Sequence, residues 1–130
     1  ISREVLKGLL DSNEPFVLLD ARNTPYYLGH KKGAEVDHAG HIPTAECLPW
    51  TSNTSDVRGI RTLKVTGELA DIYAAKNITS EDQKVVLYCR SGVEASMNYF
   101  VLRYLGFHPA LYDGSYVEWN KTGKIVPETR

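Results

Sequence analysis

Short, continuously apolar segments that alternate with helical stretches constrain the fold of this chain more than any other feature of its sequence. Two of them, residues 16–20 and 84–88, have the length and composition of strands buried on both faces. Weaker segments at residues 45–48 and 110–113 predict two more strands. Strands that alternate with helices favour a mainly parallel sheet with right-handed crossovers. The sequence therefore predicts an α/β domain.

Three stretches repeat apolar residues at helical spacing, with cap residues at their ends. They are residues 2–10, residues 66–76 and residues 94–105. Ser2 and Thr66 are predicted to be N-caps, and Gly106 suits the left-handed position after a helix. Residues 29–41 and 51–64 show no clear period, and we expect both to be surface loops.

Length and charge limit the classes of function. The 130 residues fit one domain, and a formal net charge of −1 gives no electrostatic reason to expect nucleic acid or an anionic membrane as partner. No apolar segment approaches the roughly 18 residues of a membrane helix, and no signal peptide is recognisable. We expect a soluble chain, with a cytoplasmic location favoured over a periplasmic one. Because the chain lacks an initiator Met, it is interpreted as a single domain, 1–130, from a longer protein.

The two cysteines differ in their surroundings. Cys89 ends a predicted strand, and Arg90, Ser91 and Gly92 lead from it directly into a helix. The free N–H groups and the positive dipole at a helix N-terminus favour a thiolate, and Arg90 adds a cation. An arbitrary cysteine is more often a core residue, but this position favours a reactive one. Cys47, within a short strand, is predicted to be core.

Asp20 is the polar end of the other strong strand. Ligands of α/β sheets bind at the carboxyl ends of strands, so Asp20, the loop after it and Cys89 are expected to share one crevice. His30, His38 and His41 lie in one unpatterned loop, without a carboxylate or thiol cluster at ligand spacing. We expect no metal site there.

Several separated motifs together resemble the rhodanese family of sulfurtransferases over nearly the whole chain. They are Leu19-Asp20-Ala21-Arg22, Tyr27-Leu28-Gly29, Gly40-His41-Ile42-Pro43-Thr44-Ala45, Tyr88-Cys89-Arg90-Ser91-Gly92-Val93, Leu105-Gly106-Phe107 and Tyr112-Asp113-Gly114-Ser115 through Glu118-Trp119. The resemblance is closest to the catalytic C-terminal domain of two-domain thiosulfate and 3-mercaptopyruvate sulfurtransferases. It implies a central five-stranded, mainly parallel sheet with helices on both faces, and a second rhodanese domain in the full-length protein.

The resemblance also implies a mechanism without a metal or organic cofactor. Cys89 would take a sulfane sulfur from thiosulfate or 3-mercaptopyruvate as a persulfide and pass it to a thiol or cyanide. Backbone amides of the loop formed by Cys89, Arg90, Ser91, Gly92, Val93 and Glu94 would surround the sulfur, and Arg90 and Ser91 would assist donor binding. Asp20 and Arg22 match the family's Asp-x-Arg motif and are expected to form a supporting ion pair. His41 is expected to be structural.

Two positions depart from the family pattern. Tyr26 stands where two-domain members carry a second arginine, and the loop ends in Glu94, whose charge opposes a dianionic donor. The sequence therefore does not decide between the two sulfur donors. It also leaves open the alternative of a persulfide carrier or protein-binding module that does not turn over. A Cys-dependent phosphatase or arsenate reductase would need Arg at the position of Ala95, so that class is disfavoured.

Overall fold

Four short parallel strands form the central sheet in the computed structural model, which describes residues 1–128. Across the sheet they follow the order β2 (Glu46–Cys47), β1 (Val17–Asp20), β5 (Val85–Tyr88) and β6 (Ala110–Leu111). All four strands predicted from sequence are therefore confirmed. The fifth strand that the resemblance implied is absent from the sheet in residues 1–128, where His41 and Val126 form only an isolated antiparallel bridge.

Helices cover both faces of the sheet, as predicted. They are α1 (Arg3–Asp11), α2 (Thr24–Tyr27), α3 (Thr66–Ala74), α4 (Ala95–Tyr104) and α5 (Ser115–Thr122). Because alternate residues of a strand point to opposite faces, Leu19 and Leu87 pack in a core with α3 and α4. Leu18 and Val86 pack in a second core with α1 and α5. The fold is thus a three-layer α/β arrangement with two apolar cores.

The predicted ends of the helices are confirmed in part. The Ser2 hydroxyl accepts the N–H of Val5 and caps α1, and Gly106 has a φ of 96° after α4. Thr66 is not the N-cap of α3. The helix begins after Val65, and the Thr66 hydroxyl lies 3.3 Å from that of Tyr104 in α4. A contact between helices has taken the place of the predicted cap.

The expectation of a surface loop at residues 51–64 was wrong. A short 3-10 helix, Trp50–Asn53, leads into an antiparallel hairpin of β3 (Thr54–Val57) and β4 (Ile60–Leu63). All four residues of β4 are exposed, so no buried face imposes alternation on the sequence. The turn also places Arg58 and Gly59 at φ of 55° and 79°, and arginine is an uncommon residue there. Sequence patterning therefore had no signal for this hairpin.

No helix within residues 1–128 combines the length and the apolar character needed to cross a membrane.

Candidate active site

The carboxyl ends of β1 and β5 meet in the middle of the sheet. The strands pair in register, with Asp20 opposite Tyr88, and the N–H of Ala21 donates to the carbonyl of Tyr88 at 2.8 Å. The chain leaves β1 toward β2 on one side, and leaves β5 for β6 on the other. Such a switch point opens a crevice above a parallel sheet. Cys89 and the loop after Asp20 begin at this point.

The segment after β5 forms a tight loop around the Cys89 sulfur. The N–H of Gly92 donates to Sγ of Cys89 at 3.0 Å, and α4 begins at Ala95. Gly92 has a φ of 100°, and a Cβ there would lie 3.0 Å from Oδ1 of Asp113. Glycine is favoured at this position, because the left-handed φ is strained for any residue with a side chain and a Cβ would be tight against Asp113. The loop can therefore direct a backbone N–H at the sulfur.

The segment that follows β6 holds this loop in place. The hydroxyl of Ser115 accepts the N–H of Cys89 at 3.2 Å and donates to the carbonyl of Tyr112 at 2.9 Å. The N–H groups of Tyr116 and Val117 donate to the carbonyls of Cys89 and Arg90. Ser115 is fully buried with a φ of 56°, a conformation that costs energy for any residue with a Cβ. Its role was missed from sequence, although the Tyr112–Ser115 segment belongs to the motifs that carry the resemblance.

Asp20 and Arg22 form the predicted ion pair, and both are buried. The Arg22 Nε lies 3.0 and 3.1 Å from the two carboxylate oxygens of Asp20, and Nη2 lies 2.6 Å from Oδ2. Nη2 also donates to the carbonyl of Gly40, and the guanidinium lies 4.1 Å from the ring centroid of Tyr116. Burial lowers the pKa of Arg22, but the hydrogen bonds and charge of Asp20 outweigh burial and raise it above its ordinary value. The pair therefore joins the loop after β1 to residues 40 and 116.

A crevice of about 190 Å³ lies beside the Cys89 loop. Its wall consists of Arg22, Asn23, Tyr26, Lys32, Gly33, Ala34, Arg90 and Glu94. The expectation that Asp20 and Cys89 share a crevice is met only in part: the residues that follow each of them line it, whereas Asp20 and Cys89 are absent from its wall and are buried, at 0% and 1% exposed. Lys32 was missed from sequence, because it lies in the segment that shows no periodicity. Two adjacent lysines before Gly33 were the one signal available.

The other loop residues lie in different surroundings. Ser91 and Val93 are exposed, whereas Glu94 is half-buried and lines both this crevice and an open apolar groove of about 570 Å³. That groove is also lined by Val93 of the loop and by Phe100 of α4. Glu94 is therefore part of the crevice wall, where its charge can act on a bound donor.

Two further residues test the sequence interpretation. His41 is buried and structural, as predicted, because its Nδ1 lies 2.8 Å from the carbonyl of Tyr27 and the two rings stack at 3.8 Å. Cys47 is half-buried instead of core, with its sulfur 3.7 Å from the carbonyl of Arg22. Burial raises the pKa of the Cys47 thiol, which disfavours its thiolate. Cys47 therefore lacks the surroundings of a nucleophile.

Comparison with known proteins gives a consistent result. The family model described as a rhodanese-like domain matches residues 2–122. The chain is 37% identical over 112 residues to the sulfur carrier protein TtuD of Thermus thermophilus, covering 78% of this chain and 37% of that one. It is 34% identical over 116 residues to the “Putative thiosulfate sulfurtransferase SseA” of Mycobacterium leprae, covering 83% and 37%. It is 36% identical over 104 residues to the “Probable 3-mercaptopyruvate sulfurtransferase” of Pseudomonas aeruginosa, covering 78% and 35%.

A solved structure agrees with these sequence relatives. The 3-mercaptopyruvate sulfurtransferase from Leishmania major superposes with a TM-score of 0.71 at 28% identity, covering 86% of this chain and 32% of that one. The chain spans between 35% and 37% of the length of the curated relatives named above. Their names describe proteins nearly three times as long.

Proposed function

Because this chain belongs to the rhodanese-like domain family, we propose that it is a sulfurtransferase that carries a sulfane sulfur as a persulfide on Cys89. The observation that carries the proposal is the loop between β5 and α4, in which the N–H of Gly92 donates to Sγ of Cys89 at 3.0 Å beside a cation-lined crevice. The proposed donor is thiosulfate or 3-mercaptopyruvate, and the proposed acceptor is a thiol or cyanide. A second rhodanese domain in the full-length protein remains part of the proposal.

The first step loads the cysteine. The Cys89 thiolate attacks the outer sulfur of thiosulfate, a new S–S bond forms, and the bond to the inner sulfur breaks as sulfite leaves with the electron pair. No proton has to move in this step. The backbone N–H of Gly92 and the N-terminal end of α4 stabilise a negative charge on the thiolate before attack and on the persulfide afterwards.

The second step returns the thiolate. Cyanide attacks the outer sulfur of the persulfide, a C–S bond forms, and the S–S bond breaks toward Sγ of Cys89, which gives thiocyanate. Arg90 and Lys32 lie on the wall of the crevice, where their charges attract an anionic donor. Asp20 and Arg22 are positioning residues, because the buried ion pair ties the loop after β1 to the carbonyl of Gly40 and the ring of Tyr116.

A persulfide carrier is the second candidate function. Its support is the identity to a relative named as a sulfur carrier, together with Glu94 on the crevice wall, whose negative charge weakens the attraction of an anionic donor. The carrier would load Cys89 once and release sulfur only to a protein partner. The sulfurtransferase would turn over repeatedly with a small acceptor.

Steady-state kinetics separate these two candidates. The purified domain is incubated with thiosulfate or 3-mercaptopyruvate plus cyanide, and thiocyanate is measured over many enzyme equivalents, with Cys89→Ser as the inactive variant. Repeated turnover by the parent chain, absent in Cys89→Ser, supports the enzyme. At most one thiocyanate per chain would support the carrier, and no persulfide with either donor would refute both.

A further inference from the structure

The charges around the crevice match a sulfur donor that carries a single negative charge. We propose that the crevice selects monoanionic sulfur donors over dianionic ones, and that Lys32 and Glu94 set this preference from opposite sides. The inference rests on the proposed function, since it names the class of donor that reaches Cys89. It assigns a specificity role to Lys32 that neither the motifs nor the sequence pattern indicated.

The four charged side chains on the crevice wall do not all contribute to its net charge. The charge of Arg22 is compensated by Asp20 at 2.6 Å, in a pair that is almost fully buried. Within residues 1–128, none of the ion pairs involves Lys32, Arg90 or Glu94. Among the residues of the wall, two cations therefore stand against one carboxylate, a net charge of one positive unit; Asp113, which borders Gly92, is not part of the wall.

The positions of these groups place that charge close to the Cys89 loop. Arg90 follows Cys89 directly, and its Cδ would lie 3.3 Å from a Cβ at Gly33, the residue after Lys32. Its Nη1 lies 3.4 Å from the carbonyl of Ala34, which holds the segment that carries Lys32 against the loop. Tyr26 lines the same wall with a phenol ring and adds no cation.

One positive unit suits a monoanion better than a dianion. The cost of moving an ion from water into a partly enclosed site rises with the square of its charge, whereas the attraction to the site rises only linearly. A bound monoanion would neutralise the charge of the wall, whereas a bound dianion would leave one uncompensated negative charge beside Glu94. The Cys89 thiolate adds the same negative charge in both cases, so it repels the dianion more strongly.

The same argument predicts how much the rate constant for each donor changes when one charge is removed from the crevice wall. Removing one unit charge about 8 Å from the donor, at an effective dielectric constant of about 40, changes the rate constant for a monoanion about sixfold. The energy doubles for a dianion, so its rate constant changes by about 35-fold. The ratio of the two rate constants therefore shifts about sixfold for each charge removed.

The experiment uses two donors with the same type of sulfur bond but different charge. Thiosulfate is a dianion, and the methanethiosulfonate anion replaces one of its oxygens with a methyl group. The second-order rate constant for persulfide formation on Cys89 is measured by intact mass for the parent chain, Lys32→Gln, Glu94→Gln and the double variant. Lys31→Gln is the matched control, because Lys31 is the exposed neighbour of Lys32 and lies outside the crevice wall.

Opposite shifts are the expected result. The monoanion-to-dianion ratio should rise about sixfold in Lys32→Gln, fall about sixfold in Glu94→Gln, and return near the parent value in the double variant. In the parent chain the ratio of the monoanion rate constant to the dianion rate constant should exceed the same ratio measured for 2-mercaptoethanol, an uncharged thiol without a binding site. Lys31→Gln should leave the ratio within about twofold.

The outcomes separate the inference from the proposed function. Loading of Cys89 with a ratio that is unchanged in Lys32→Gln and Glu94→Gln would overturn the charge selection and leave the sulfurtransferase standing. A parent ratio at or below that of 2-mercaptoethanol would also overturn it. Absence of loading with both donors would overturn the proposed function, and the inference with it.

Discussion

Replacing Asp20 with asparagine should destabilise the domain strongly, although the two side chains have nearly the same shape. The change removes the negative charge that faces Arg22, and both residues are almost fully buried, at 0% and 2% exposed. The Arg22 Nε and Nη2 would lose charged acceptors at 2.6 to 3.1 Å. The amide of asparagine would also present its own N–H groups to a donor-only guanidinium.

The expected loss follows from the cost of an uncompensated buried charge. Removing one partner of a buried ion pair typically costs about 3–5 kcal/mol of unfolding free energy. For a domain of 130 residues this corresponds to a fall of about 10–20 °C in Tm. Arg22 could reach water only by breaking its hydrogen bond to the carbonyl of Gly40 and its contact with the Tyr116 ring, so exposing it would also cost free energy.

Urea unfolding followed by circular dichroism measures this loss, and an exposed ion pair provides the control. Lys84 and Glu14 lie 2.9 Å apart with side chains that are 49% and 64% exposed. Glu14→Gln removes the same kind of charge as Asp20→Asn, but in high dielectric, so its urea midpoint should match that of the parent chain. A loss below about 1 kcal/mol in Asp20→Asn would refute the argument that the pair is a buried structural element.

Three other predictions follow from the same structure. Gly92→Ala should cost about 1–3 kcal/mol in urea unfolding and slow persulfide formation at least tenfold, because a φ of 100° is strained for a residue with a Cβ and that Cβ would be tight against Asp113; loading at the parent rate would contradict this. Burial raises the pKa of Tyr73 and Tyr88, so these phenols ionise more readily in the unfolded chain than in the folded one. The free energy of unfolding should therefore fall progressively as the pH rises above about 10, the ordinary pKa of tyrosine. If ultraviolet absorbance shows that all tyrosines ionise while the chain is still folded, this prediction is wrong. Cys47→Ala should keep full persulfide loading, whereas loss of loading would assign Cys47 a part in the reaction.

Much of the fold could be predicted from the sequence, because burial determined it. The strands β1 and β5 lie in the middle of the sheet, and burial on both faces requires the apolar segments that marked them. The hairpin of β3 and β4 could not be predicted in this way. Its strands are largely exposed, and its turn depends on a left-handed Arg58 instead of the residues usually found there.

The candidate site could be predicted only where a local motif defined it. The strand, loop and helix around Cys89 are consecutive in sequence, so their geometry followed from the order of residues. Lys32 lines the crevice and Ser115 bonds to the N–H of Cys89, although they lie 57 and 26 positions away from Cys89 in the chain. The paired lysines at 31–32 and the motif that contains Ser115 did not indicate what these residues lie beside. Long-range packing decided which polar residues border the loop.

Mass spectrometry of the loaded protein tests the central claim most directly. The domain is treated with thiosulfate or 3-mercaptopyruvate, freed of excess donor, and examined as the intact chain and as peptides, with Cys89→Ser and Cys47→Ala alongside. The account predicts a gain of about 32 Da located on Cys89, present in Cys47→Ala, absent in Cys89→Ser and removed by cyanide. An unchanged mass with both donors, or an added sulfur located on Cys47, would contradict it.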